Sequence, residues 1–153
     1  MTDLETIIVK QKPDYLETLT GCEIENKYKV YAYEPTSEYE GNIGKKFFKC
    51  KESSDTCKRL CLSADCRPFE VGVYKEEPSK GPFLRFEREY ACTVCCCNRP
   101  EMRIYHCEQA QDFDKKGNIK KSDSDVYLGK VTDPWECCGM RFYVFGEGDV
   151  PLY

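Results

Sequence analysis

The sequence predicts a single domain that is mainly antiparallel β, with one or two short helical turns. Its 153 residues are the length of one domain. Segments in which β-branched and aromatic residues alternate with polar ones recur along the chain, as expected of half-buried strands. Turn-forming groups of Gly, Pro, Asn and Asp separate them. This succession is typical of a sheet that curls toward a partial barrel or a sandwich.

The strand pattern is clearest in the segment NKYKVYAY, where Tyr28, Val30 and Ala32 alternate with polar neighbours. Seven segments share this pattern: 26–33, 45–50, 69–74, 83–88, 102–107, 126–131 and 140–146. The N-terminal residues 1–11 fit either an edge strand or a short helix. Residues 53–62 predict one helical turn with a Ser or Asp cap, and 114–125 predict a polar loop between two strands.

Composition limits the classes of function. Charged residues make up 33% of the chain and the net charge is −4, which disfavours nucleic acid as a partner. No run of about 18 apolar residues is present, so no membrane-spanning helix is expected. The N-terminus lacks the pattern of a secretory signal. We therefore expect a reducing compartment, in which structural disulfides are disfavoured.

The 12 cysteines include a cluster of Cys92, Cys95, Cys96 and Cys97. Consecutive residues of an extended segment point to opposite faces, so the triplet cannot turn together toward one metal ion. At least one thiol then faces water and can accept palmitate; two or more acyl chains make membrane anchoring stable. Three arginines near in sequence are expected to favour the thiolate, namely Arg85, Arg88 and Arg99.

Two other uses of cysteine remain open. A zinc site could combine Cys57 and Cys61 with the pair Cys92 and Cys95, and Cys66 lies close in sequence. Small buried thiols that pack as apolar groups are the other possibility. The cysteines that suit this structural role best are Cys22, Cys50 and Cys107.

The polar loop that begins at Asp112 resembles a calcium-binding loop, with Gly117 at position 6. However, Lys116 takes a ligand position and Asp123 stands where a longer glutamate is usual, so a solvated loop is favoured. No catalytic set is evident around His106, the single histidine. The sequence therefore predicts no bond-making enzyme.

Four segments occur in the order found in the phospholipid scramblase family, which the chain resembles over nearly its whole length: 16–31, 53–74, 84–97 and 127–145. The motifs that carry the resemblance are Leu19-Thr20-Gly21, Asn26-Lys27-Tyr28, Arg67-Pro68-Phe69, Cys95-Cys96-Cys97 and the segment from Gly129 to Trp135.

The resemblance implies one scramblase-like domain over residues 1–153, C-terminally truncated relative to the family, with a tubby-like partial β-barrel. It implies palmitate on Cys95, Cys96 and Cys97, with Cys92 matching an upstream cysteine. The run departs from the family's five cysteines around a proline. The family's acidic calcium segment has no counterpart here, so Ca²⁺ is implied by resemblance alone.

The implied activity is movement of phospholipids between bilayer leaflets without energy input, at the cytoplasmic face of the plasma membrane. The expected partners are membrane phospholipids, and the open sheet edge would admit a second copy or another protein. The alternative is a zinc-stapled or scaffolding interaction module without transport activity.

Overall fold

The computed structural model describes residues 6–13, 15, 24–34, 42–63, 66–75, 81–91, 99–107, 121–136 and 141–152. These form an eight-stranded sheet in which the spatial order of the strands equals their order in the chain. Every neighbouring pair is antiparallel. The strands are β1 (Ile7–Gln11), β2 (Lys27–Glu34), β3 (Asn42–Ser53), β4 (Phe69–Lys75), β5 (Leu84–Arg88), β6 (Glu101–His106), β7 (Val126–Thr132) and β8 (Tyr143–Phe145).

The prediction of a mainly antiparallel β fold is confirmed, and each of the seven predicted segments contains a strand. The N-terminal segment is an edge strand, β1, and not a helix. The predicted helical turn is helix α1 (Thr56–Cys61), where the Asp55 carboxylate caps the N-terminus by accepting from the backbone N–H groups of Cys57 (2.9 Å) and Lys58 (3.2 Å). Of the predicted loop 114–125, residues 121–125 are described and contain a turn.

The sheet is open, with two edges as the expected partial barrel requires, and it is not closed into a barrel in the part of the chain that the structure describes. There, β1 and β8 form the two edges of the sheet. After β8 the chain turns back through a 3₁₀ turn (Glu147–Asp149), and the Leu152 N–H donates to the Val144 carbonyl at 2.8 Å. This return segment covers the outer edge of β8, whereas β1 remains an edge strand.

The register divides the side chains between two faces, because cross-strand partners share a face and successive residues alternate. The face that we call the apolar face carries a continuous set of hydrophobic side chains, which are Val9, Val30, Phe48, Val71, Val73, Phe86, Ile104, Val131 and Val144. The opposite face, called the polar face, carries lysine, arginine, glutamate and tyrosine. Few apolar side chains of the described residues are buried, among them Val30, Ala32 and Val73.

A buried charged cluster joins the strands at one end of β3. The Glu52 carboxylate accepts hydrogen bonds from the Asn26 side chain (2.7 Å) and the Ser54 hydroxyl (3.2 Å), and it pairs with the Arg67 guanidinium at 3.5 Å. Glu52 and Arg67 are both buried. Because Asn26 begins one family-like motif and Arg67 begins another, the structure gives both motifs a shared role in tying β2, β3 and β4 together.

Glycine is required at position 129, in the middle of β7. The register of β7 shifts there, since Ile104 pairs with Gly129 and Tyr105 pairs with Tyr127. Gly129 has a φ of +149°, and a Cβ atom on it would lie 2.1 Å from the Phe145 carbonyl oxygen. Only glycine lets β8 approach β7 this closely.

Candidate functional site

The cysteine cluster lies in the connection between β5 and β6. Cys92, Cys95, Cys96 and Cys97 themselves fall outside the described residues, but the residues at both ends of the cluster are fixed to the sheet. At the first end, Ala91 is only 2% exposed and its N–H donates to the Cys66 carbonyl at 3.2 Å. This contact ties the start of the cysteine segment to the chain after α1.

The second end is held by Arg99. Its Nη2 atom lies 2.7 Å from an Asp133 carboxylate oxygen, and its Nε–H donates to the Asp133 carbonyl at 3.1 Å. The Asp133 N–H in turn donates to the Pro100 carbonyl at 3.0 Å. The cysteine segment therefore leaves and re-enters the sheet at two fixed points, one next to α1 and one next to the end of β7.

Exposed aromatic side chains surround these two points. Antiparallel pairing brings the end of β5, the start of β6, the end of β7 and the start of β8 to one end of the sheet, which we call the cysteine-loop end. Tyr90, Trp135 and Phe142 all belong to this end and are 53%, 55% and 53% exposed. The sequence contains one signal that could have identified such residues, which is an aromatic residue within or beside a turn signal, as Trp135 is in TDPW.

A largely apolar groove of about 430 Å³ opens between β6, β7 and the residue before β8. Met102 and Val131 are cross-strand partners within it, and Pro100 and Phe142 line it as well. The cysteine-loop end thus combines exposed aromatic rings with an apolar recess. Aromatic side chains of this kind suit the interface between water and a bilayer.

The arginines expected to activate the thiols are already engaged. Arg85 pairs with Glu87 (2.8 Å) and with Asp125 (2.9 Å), while Arg99 pairs with Asp133. Burial lowers the pKa of Arg85, but the hydrogen bonds to these two carboxylates outweigh it and raise that pKa overall. Since carboxylates compensate Arg85 and Arg99, two of the three cations contribute little to stabilising a local thiolate.

The other described cysteines divide by burial. Cys107 is buried, as predicted. Burial is the largest cause that raises the pKa of its thiol, and the neighbouring Asp125 carboxylate raises it further. Cys50 is only partly buried, which still raises the pKa of its thiol. Cys22 lies outside the described residues. Burial therefore keeps Cys107 in the protonated, unreactive form.

Cys57 and Cys61 are exposed on α1, and their spacing of four residues places them on one face of that helix. Cys66 follows and is partly buried. Across the ranges that the structure describes, no group of three or more His, Cys, Asp or Glu side chains could hold a metal ion. The zinc site stays a prediction, because it needs Cys92 and Cys95.

The calcium-like loop from Asp112 lies outside the described residues except for its last positions. Asp123 belongs to the turn before β7. Asp125, two residues after the loop, forms an ion pair with Arg85. Within the same described ranges, no helix has both the length and the apolar character needed to cross a bilayer.

An open antiparallel meander with a cysteine-rich connection at its cysteine-loop end defines a cysteine-rich, mainly β protein. The chain belongs to the Scramblase family, whose sequence model matches residues 1–152. This membership confirms the resemblance found in the sequence motifs.

Curated relatives agree with this assignment. The chain is 29% identical over 149 residues to phospholipid scramblase 1 of Rattus norvegicus, covering 96% of this chain and 36% of the relative. It is 27% identical over 147 residues to phospholipid scramblase 1 of Homo sapiens, covering 96% and 38%. It is 24% identical over 149 residues to phospholipid scramblase 2 of Bos taurus, covering 96% and 41%. No solved structure matches the chain significantly. The chain thus spans well under half the length of these relatives.

Proposed function

We propose that the chain is a scramblase-like protein that associates with the cytoplasmic face of the plasma membrane and moves phospholipids between leaflets without energy input. Palmitate on Cys95, Cys96 and Cys97, with Cys92, would hold it there. The role is that of a lipid transporter and not of an enzyme. Family membership supports lipid movement, and the cysteine-loop end supports the membrane contact.

One observation carries the anchoring part of the proposal. The cysteine segment is fixed at Ala91 and Arg99, and both points lie among exposed aromatic side chains. Acyl chains attached between these points would draw the cysteine-loop end toward the bilayer. Trp135 and Phe142 would then lie at the level of the lipid headgroups, where amphipathic and aromatic rings are stable.

Acyl-biotin exchange in cells tests the anchor. The full chain is compared with a Cys95/Cys96/Cys97→Ser variant, and a Cys57/Cys61→Ser variant serves as the control because those thiols are exposed on α1. We expect hydroxylamine-sensitive labelling and membrane fractionation to be lost in the triple variant and retained in the control. Labelling that persists in the triple variant would contradict the assignment.

Lipid movement is tested in vesicles that contain the purified chain and a fluorescent phospholipid. A membrane-impermeant reductant then quenches the outer leaflet, and scrambling exposes the inner-leaflet label as well. We expect the quenched fraction to rise above the protein-free value. Measurements with and without Ca²⁺ show whether the ion matters. Quenching that stays at half of the label in both conditions would leave the chain with an anchoring role only.

The second candidate function is a zinc-stapled interaction module. It is favoured by Cys57 and Cys61, which share one face of an exposed helix. Elemental analysis of the purified chain should then give about one zinc per chain, lost in the Cys57/Cys61→Ser variant. Zinc-free protein that folds and binds membranes normally would exclude this role.

A further inference from the structure

Lysines form a block on the polar face of β1, β2 and β3. The register places Lys10 opposite Lys29, and Lys29 opposite Lys49, so that three lysines stand in one cross-strand row. In a second row, Lys27 is the partner of Lys51. Lys12 joins them, since its N–H donates to the Lys27 carbonyl at 2.7 Å. We call this set of six residues the lysine face.

This arrangement is unfavourable for the isolated fold. Like charges directly opposite each other on neighbouring strands destabilise a sheet, yet they occur here in a chain whose net charge is −4. Protection of a sheet edge by lysine explains Lys10 on β1. It does not explain Lys29 or Lys49, because β2 and β3 are interior strands.

Within the described ranges, carboxylates compensate little of this charge. Lys51 lies 3.8 Å from Glu25. Among the described residues, Lys27, Lys29 and Lys49 form no ion pair. A field of the same sign therefore extends over three strands.

The lysine face borders an open groove of about 440 Å³, whose lining includes Tyr74 and five of the six lysines: Lys12, Lys27, Lys29, Lys49 and Lys51. Lysine stems can cover apolar surface while their ammonium groups reach into water. Gly72, the partner of Lys51 on β4, adds no side chain to this region. Further along the same face, Tyr33 and Ile43 are cross-strand partners, and both are exposed.

We propose that the lysine face binds the surface of a bilayer that contains anionic phospholipids. Many cations spread over three strands match an extended layer of phosphate and carboxylate headgroups better than a single small anion. Tyr33 and Ile43, which are exposed on the same face as the cations, favour a bilayer over a nucleic acid, because basic and apolar groups together are typical of interfacial binding. This inference deepens the proposed function by naming the lipid class that the body of the protein recognises.

Vesicle sedimentation of the full, unacylated chain tests the proposal. Vesicles of phosphatidylserine and phosphatidylcholine are compared with phosphatidylcholine alone. The variant is Lys29/Lys49→Gln, and the matched control is Lys58/Lys75→Gln, which removes the same charge from exposed lysines outside the lysine face. We expect the variant to bind anionic vesicles about thirtyfold more weakly and the control to change about threefold or less.

Binding should also weaken when NaCl is raised, because salt screens exposed charges. Equal losses in the variant and the control would overturn the proposal, since net charge alone would then explain binding. A wild-type chain that ignores anionic vesicles, or that binds single-stranded DNA more tightly through the same two lysines, would overturn it too. Urea unfolding confirms that both double variants are folded.

The vesicle-binding test is independent of the tests for palmitoylation and lipid movement. If the lysine face is wrong, palmitoylation and lipid movement can still be observed. If the chain moves no lipid, vesicle binding by Lys29 and Lys49 can still be measured on the unacylated protein. The two proposals therefore fail separately.

Discussion

Positive side chains on the polar face of the sheet have different neighbours in two regions, β5 to β7 and β1 to β3. Over β5 to β7, positive groups meet carboxylates: Arg85 lies between Glu87 and Asp125, and Lys121 also contacts Glu87. Over β1 to β3, lysines face lysines across the strands. Both regions stand on the same antiparallel scaffold, so the difference comes from the side chains and not from the backbone.

Burial explains why the two regions differ. The side chains of Arg85 and Asp125 are 3% and 4% exposed, and charges withdrawn from water to this degree require partners. Water and salt attenuate repulsion between exposed ammonium groups, so the lysines can stay close together at modest cost. We infer that the paired region maintains the fold, whereas the lysine region is available to bind an anionic surface.

Removing the buried cation should have the largest effect. Arg85→Gln leaves the Asp125 and Glu87 carboxylates in a buried site without their guanidinium partner. We expect the free energy of unfolding in urea to fall by about 3 kcal/mol. The control is Arg103→Gln, whose exposed pairs with Glu89 and Glu101 should be worth less than about 1 kcal/mol. Similar losses in both variants would contradict the distinction between buried and exposed ion pairs.

Acid should weaken the paired region first. Burial raises the pKa of Glu87, but the hydrogen bonds and charges of Lys121 and Arg85 outweigh it, so the folded pKa lies below its ordinary value of 4.5. This carboxylate therefore stabilises the fold fully above pH 4.5, and the contribution is lost as the pH falls through the folded pKa. Urea unfolding at a series of pH values should show a smaller acid-induced loss for Glu87→Gln than for the wild type.

Glu70 gives the matched comparison. Burial raises its pKa above the ordinary value of 4.5, although Lys121 and Arg85 act in the opposite direction. Its ionisation therefore opposes folding, and this cost disappears as the pH falls below 4.5. The acid-induced loss should be larger in Glu70→Gln than in the wild type. An unchanged pH profile in both variants would contradict the assignment of these pKa shifts.

The sequence predicts the strands well because the relevant signal is local. Alternation of apolar and polar residues locates each of the seven expected strands, and Asp55 marks the start of α1 through its own cap. The N-terminal segment is a strand because it pairs with β2. The local sequence pattern holds no information about that pairing, so it could not decide between strand and helix. Whether the two edges of the sheet close on each other depends on pairing between distant strands, and the periodicity of single segments carries no information about that pairing.

The candidate sites were less predictable because they depend on register. Lys29 and Lys49 are each ordinary exposed residues in the sequence, and only the pairing of β2 with β3 brings them opposite each other. Arg85 looked available to activate a thiol, since its partner Asp125 is 40 positions away in the chain. Long-range partners of this kind are outside the reach of motif reasoning.

The smallest expected effect is a gain in stability, whereas Arg85→Gln should cause a loss. Lys29/Lys49→Gln removes two like charges from one cross-strand row, so we expect the free energy of unfolding to rise by about 0.5 kcal/mol at low ionic strength. The gain should vanish at high salt, where the repulsion is screened. Lys58/Lys75→Gln should give no such gain, because these lysines do not oppose another lysine in the register. A clear loss of stability in Lys29/Lys49→Gln would show that the lysine face is structural, whereas a gain together with weaker binding to anionic vesicles would mean that stability is sacrificed there for binding.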